Sequence, residues 1–239
     1  KNNFNYYLKN TITAGKNDTE YDSSPHLKLM NILEFQSSFP LTKIDKNFIN
    51  FLNPKLSLRI NPSDMKNYND ENRRINNDNI FNIDRLGLLD TLESGQNLTL
   101  GLDYKKEKID NINKYFEFKL ATVMRAEENN KIPSNSTINH KNSNYFGKIT
   151  NSFNENFSLD YEFSIDNNLD QIQYNSFGTT ISKNNFITSF NYIEETGDVG
   201  SSHIIENTTT FNFNEHNFIS FRTRKNREID LTEYYDLIY

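Results

Sequence analysis

The stretch NENFSLDYEFSIDNN, residues 154–168, switches between polar and apolar at almost every step. Phe157, Leu159, Tyr161, Phe163 and Ile165 fall on one side of an extended chain, and Ser158, Asp160, Glu162 and Ser164 on the other. The same period of two recurs elsewhere. Leu98, Leu100, Leu102 and Tyr104 alternate with Thr99, Gly101, Asp103 and Lys105, and Phe116, Phe118, Leu120 and Thr122 with Glu117, Lys119, Ala121 and Val123. Weaker faces run through Ile205, Asn207, Thr209, Phe211 and Phe213, and through Leu231, Glu233, Tyr235, Leu237 and Tyr239. No convincing stretch spaces apolar residues by three and four, so long helices are not expected.

The pattern predicts an all-β, antiparallel, up-and-down meander of about 12 strands, at 4–13, 27–38, 55–60, 97–107, 115–126, 145–154, 157–165, 171–182, 186–194, 204–213, 217–225 and 231–239. Most of these span roughly 9–12 residues, where soluble strands cluster near ~5–6. A tilted membrane-crossing strand needs about 9–11.

The connections sharpen this reading. NEN (154–156), KNN (183–185) and NEHN (214–217) are tight turns rich in Asn, which tolerates left-handed backbone, and each is followed by a Phe: Phe157, Phe186, Phe218. Between them lie the wider loops 166–170, 195–203 and 226–230. Upstream, 127–144 and 14–26 are long, 61–96 is very long, and 108–114 is shorter. The 39–54 link breaks the trend, being longer than the tight turns. If every strand reverses direction, the tight turns share one rim and most long loops the other, as in outer-membrane barrels. The repeated turn-Phe would form an aromatic girdle at one interface. A closed meander leaves no strand edge unpaired, which lipid demands. A soluble antiparallel β-sandwich alternates in the same way and stays open as an alternative.

Composition narrows the classes. A net charge of -6 and a pI of about 5.3 argue against a dedicated nucleic-acid binder. Mean hydropathy is low (-0.79), but aromatics reach 13%, too many for a disordered chain. Without cysteine there is no disulfide, thiolate nucleophile or Cys-bound metal. No run approaches the roughly 20 apolar residues of a transmembrane helix. The opening KNNFNYYLKN lacks the apolar stretch of a signal peptide and reads as the middle of a longer chain.

Nothing points to catalysis or to a cofactor. His26, His140, His203 and His216 lie in or beside predicted turns without metal-ligand spacing. The run from Asp166 begins like a calcium loop, but Gln171 stands where Gly is required and Phe177 where the bidentate Glu belongs. Glu127-Glu128 and Glu194-Glu195 are adjacent, so in extended chain they point to opposite faces.

The segment NIFNIDRLGLLDTLESGQNLTLGLDYKKE (79–107) is the most distinctive. Through Asn79, Phe81, Asp84, Arg85, Gly87, Asp90, Glu93, Gly95, Gly101 and Tyr104 it resembles the barrel domain of the LptD family, the outer-membrane LPS-assembly or organic solvent tolerance proteins. Thr91 departs from the pattern, which often has Arg after the Asp. The resemblance implies a very large transmembrane barrel in the outer membrane of a Gram-negative bacterium. Residues 1–239 would be one fragment of it, lacking the N-terminal jellyroll and the last strands that flank the family's lateral opening. It further implies non-enzymatic translocation of lipopolysaccharide to the outer leaflet, with an LptE-like plug lipoprotein inside the barrel. An LptA-like periplasmic bridge would dock through the missing N-terminal domain.

Two sets of candidate site residues follow. Arg59, Lys119, Arg125, Arg222 and Arg224 would face the lumen, either as part of an ordinary polar interior or as guides for phosphorylated sugar. The loop motif Asp84, Arg85, Gly87, Asp90, Glu93 and Gly95 would fold back and bond to the wall, or sit in an ordinary extracellular loop. A diffusion porin remains the alternative membrane reading, with loop 61–96 as its constriction.

Overall fold

The computed structural model describes residues 1–17 and 21–239; the predicted loop 14–26 therefore includes three residues that lie outside the described ones. Among the described residues thirteen strands carry the fold: β1 (Asn2–Thr13), β2 (His26–Ser38), β3 (Leu41–Ile44), β4 (Phe48–Asn61), β5 (Gly95–Lys108), β6 (Asn111–Arg125), β7 (Tyr145–Asn154), β8 (Phe157–Ile165), β9 (Ile172–Lys183), β10 (Phe186–Glu195), β11 (Ser202–Asn212), β12 (Phe218–Asn226) and β13 (Leu231–Ile238). They form one antiparallel up-and-down sheet in chain order, with β3 pairing only with β4. A sandwich would need two packed sheets; the strands form one. No ladder joins β1 to β13 among the described residues. Among them, too, no helix is long and apolar enough to cross a membrane, which leaves crossing by strands untouched.

The structure corrects the reading of 39–54. That stretch is no loop but the far end of a hairpin: β3 continues the line of β2 along β4, and the chain reverses at 45–47, where the Asp45 N–H donates to Phe48 O. Pro40 and Pro54 interrupt the alternation there because neither has an N–H to give to a ladder. The Phe39 N–H donates to Pro54 O across the break, at 2.9 Å. Strand β4 is thus 14 residues long, where alternation marked only 55–60. Likewise the 108–114 connection shrinks to residues 109–110 between β5 and β6. In the KNN turn, Asn184 takes the left-handed conformation (φ 54) that its side chain tolerates.

The chain divides into two compact units. The first comprises residues 1–39, 54–101 and 121–144. Its sheet surface is inverted relative to a soluble protein. Phe4, Tyr6, Ile12, Leu27, Leu29, Leu33, Leu58 and Ile60 are exposed on one face; Phe4 is 83% exposed and Ile12 74%. On the other face Glu34, Ser57, Arg59, Asn97, Thr99 and Arg125 are buried. The polar face is buried because residues 62–94, with residues 127–144, supply an apolar layer of their own. Met65, Ile75, Ile80, Leu86, Leu88, Leu92, Ile132 and Ile138 are all buried. Leu92 packs with Met30 and Ile32 of β2, flanked by Tyr7 and Ile83.

The second unit comprises residues 40–53, 102–120 and 145–239. Register places Phe157, Leu159, Tyr161 and Phe163 beside Ile181, Thr179, Phe177 and Asn175 on one face. That face continues through Phe186 and Phe190 to Phe211 and Asn207. Asp160, Gly178, Asn191, Glu206 and Arg224 form a row across the opposite, polar face.

Candidate functional site

The loop motif of 79–95 lies on the polar face of the first unit, and its residues account for themselves one by one. Asn79 orders the entry: its amide donates to Arg74 O (2.9 Å), while its Oδ1 accepts from the Asn76 N–H (2.9 Å). Phe81 places its ring over Gly101 of β5; a Cβ at Gly101 would lie 2.6 Å from Phe81 Cζ. The Lys55 ammonium sits over the same ring, 4.4 Å from its centre. Asp84 caps the next turn by accepting from the Gly87 N–H (3.2 Å), and Gly87 takes the positive φ of +59 that the turn requires. Lys9 of β1 reaches Asp84 (3.3 Å) and also donates to the carbonyls of Leu88 and Thr91. Its ammonium thus finds three acceptors, as many as it has protons.

Glu93 is the centre of the arrangement. Arg85 grips it with two parallel bonds, Nε to Oε2 at 2.7 Å and Nη2 to Oε1 at 2.6 Å. Arg125 of β6 donates to the same carboxylate, and the Asn97 amide adds a bond of 3.1 Å. Arg85 also donates to Thr99 Oγ1 of β5 (3.0 Å). Gly95 (φ +91) lets the chain enter β5 beside Arg125, whose Nη2 would lie 2.9 Å from a Cβ there. A neighbouring cluster on the wall has Glu34 of β2 accepting from Arg59 Nε (2.7 Å), Ser57 (2.7 Å) and Asn5 (3.0 Å). Arg59 Nη1 and Nη2 have no hydrogen-bond partner among the described residues. Three guanidiniums therefore face two carboxylates in a space closed to water. Burial opposes ionisation of Glu93, but the charges of Arg85, Arg125 and Arg59 outweigh it and bring its carboxyl down to about 2.

Asp90 ties down the other end of the motif. It accepts from the hydroxyls of Tyr21 (2.7 Å) and Tyr68 and from the Lys66 ammonium (3.2 Å). Burial pushes its carboxyl up, yet the two hydroxyls and Lys66 together hold it below the ordinary carboxylate value. Burial and the same carboxylate raise the Tyr68 hydroxyl. Lys66 lies over the Tyr21 ring at 3.9 Å, a second attraction for the same cation. Thr91 is fully buried and its Oγ1 accepts from the Lys66 N–H (3.1 Å).

The basic candidates divide. Arg59 and Arg125 are buried within these networks, their side chains 3% and 1% exposed. Arg222 and Arg224 remain partly open on the polar face of the second unit, yet each is matched. Arg222 pairs with Asp236 (2.8 Å); Arg224 pairs with Glu206 and Glu233. Lys119 lies 3.3 Å from Glu117 on its own strand. All five thus have carboxylate partners. The motif and one face of alternation were readable from sequence, but Lys9, Glu34, Tyr21, Tyr68, Lys66 and Asn97 were not singled out. One signal was present: Met30 and Ile32 put apolar side chains on the polar face of β2, the mark of a strand covered on that side too. Among the described residues no group of three or more His, Asp or Glu could hold a metal.

The Phe81 socket is directly testable. Gly101→Val should destabilise by roughly 1–3 kcal/mol through overpacking, and adding Phe81→Ala should recover part of that loss. A double-mutant cycle on thermal unfolding measures this; strictly additive effects would mean that ring and glycine do not meet.

A strand meander whose apolar side is exposed, whose polar side is buried under a folded-back segment, and whose segment carries this motif is what the comparisons then meet. No curated protein matches the chain. The family model for LPS transport system D, LptD, matches residues 2–222. On that match the chain belongs to the LptD family, outer-membrane proteins of lipopolysaccharide transport.

Proposed function

We propose that these strands form part of the wall of an outer-membrane barrel that delivers lipopolysaccharide to the outer leaflet. The exposed apolar faces meet lipid and the polar faces meet the aqueous interior. The observation that carries this is the inversion of the sheet: large hydrophobic side chains exposed, charged ones buried. In water, so many exposed aromatic and aliphatic side chains on one face would be a site of aggregation; in hydrocarbon they are the expected surface. Lipopolysaccharide is amphiphilic, and a wall greasy on one side and wet on the other suits both its acyl chains and its sugars. Passage needs no chemical step. An LptE-like lipoprotein would occupy the interior, and an LptA-like bridge would feed the cargo from the periplasm.

Nitroxides at Leu159 and Phe163 test the orientation in native vesicles. Both should relax readily with oxygen dissolved in lipid and weakly with a water-soluble nickel complex. Aqueous or tightly packed surroundings at both sites would overturn the reading. Depletion of the protein in cells should trap lipopolysaccharide away from the surface. A second reading, a diffusion porin, has one observation in its favour: residues 62–94 lie on the polar face as a constriction loop does. Steady conductance in planar bilayers, with surface lipopolysaccharide intact on depletion, would select it.

A further inference from the structure

The second unit holds a groove that the transport reading leaves unassigned. It lies on the polar face at the tight-turn ends of β6–β9, with a volume of about 340 Å³, at the small end of the range for ligand sites. Tyr115, Asn154, Ser158, Thr180 and Ser182 line it, and Glu155, at the turn tip, is the one charged side chain in its lining. Its floor continues as a row. Ser152, Ser158, Thr180, Ser189 and Thr208 stand directly opposite one another on five adjacent strands, a path about 19 Å wide at the usual strand spacing. The charged row of Asp160, Glu206 and Arg224 lies two residues further along the strands.

This lining selects by chemistry. A phosphate needs a free cation, and those beside the groove are taken: Lys105, over the Tyr115 ring at 4.9 Å, pairs with Glu107 (2.7 Å), and Arg222, opposite Thr208 at the end of the row, pairs with Asp236 (2.8 Å). An acyl chain needs an apolar trough, and here hydroxyls and amides form much of the surface. Hydroxyls both donate and accept, as do the ring hydroxyls of a sugar. We propose that this groove is a subsite for uncharged hexose rings of the cargo's carbohydrate. The hydroxyl row would be the track along which successive rings exchange hydrogen bonds without being held by charge. The proposal rests on reading the polar face as the aqueous path of lipopolysaccharide.

The test uses the full-length protein in nanodiscs, with a core oligosaccharide freed of acyl chains and phosphate as the probe. Saturation-transfer NMR should show magnetisation passing from protein to the sugar-ring protons. Ser158→Leu, which fills the groove, should abolish the signal. Thr180→Val, which keeps the shape and removes one hydroxyl, should weaken binding several-fold. Heat-modified mobility on gels confirms that each variant is folded. A wild-type protein that gives no signal, or variants that bind as well as wild type, would overturn the subsite. So would a probe that binds only when its phosphates are retained. None of these outcomes touches the transport reading, which stands or falls separately on surface lipopolysaccharide after depletion.

Discussion

Glu93→Gln is expected to open the segment at residues 79–95. The carboxylate is the shared counter-charge of Arg85 and Arg125, and both guanidiniums are almost wholly buried. Removing one member of a buried ion network while leaving the others costs about 3–5 kcal/mol, because charge is stranded away from water. Here the cluster already holds three cations against two anions, so no spare acid can take over. The segment escapes the penalty by leaving the wall and letting Arg85 reach solvent. At about 1.4 kcal/mol per factor of ten, the open population should rise a hundredfold or more. Trypsin reads this directly. Cleavage after Arg85 should be slow in the folded wild type and fast in the variant, whereas cleavage after the exposed Arg74 should be unchanged. Equal protection of Arg85 in both proteins would show that Glu93 does not hold the segment.

Acid should do the same without mutation. In the unfolded chain Glu93 titrates near the ordinary glutamate value of 4.5, and burial among arginines brings it to about 2 in the folded protein. A depressed carboxyl contributes stability that is complete above the unfolded value and disappears as pH falls towards the folded one. The window is therefore about pH 4.5 down to 2, and the contribution is on the order of 3 kcal/mol. Asp90 acts in the same sense, since its carboxyl is also lowered. A nitroxide at Leu89, which is 88% exposed and so carries a label without disturbing the packing, should sharpen its spectrum across that window. Between pH 5 and 8 the spectrum should not change. A transition near pH 6 would point instead to a histidine. The Glu93→Gln protein should show a mobile label at every pH.

Much of the sheet was legible because its two environments differ so strongly. A period of two survives wherever one face meets apolar surroundings and the other does not, and β7, β8 and β10 were placed to within a residue. Where the pattern failed, the cause was local. Strand β3 has four residues, all exposed, between Pro40 and a reversal, so it carries no contrast between faces. The upper part of β4 was lost across Pro54 for the same reason. The site was half legible. Residues 79–95 announced themselves by their own spacing, but their partners come from β1, β2, β5 and β6. Nothing local marks Lys9 or Glu34 as the residue that will meet a loop seventy-five positions away or an arginine twenty-five away. Parity is the most that sequence offers: once Leu8 and Leu33 are set on the exposed apolar face, Lys9 and Glu34 must face the other way.

The braced segment also imposes an order of assembly. Glu93 is reached by the chain well before Arg125, thirty-two residues later, and β6 must pair before Arg125 is in place. Until then the segment can bury Arg85 against Glu93, with β1 contributing Lys9 and β5 Asn97, Thr99 and Gly101. Complete seating therefore requires β6 to be paired with β5, and a chain in which β6 is unpaired would leave Glu93 short of one of its two arginine partners. The seated loop acts as a receipt that this stretch of wall has been built in the right register.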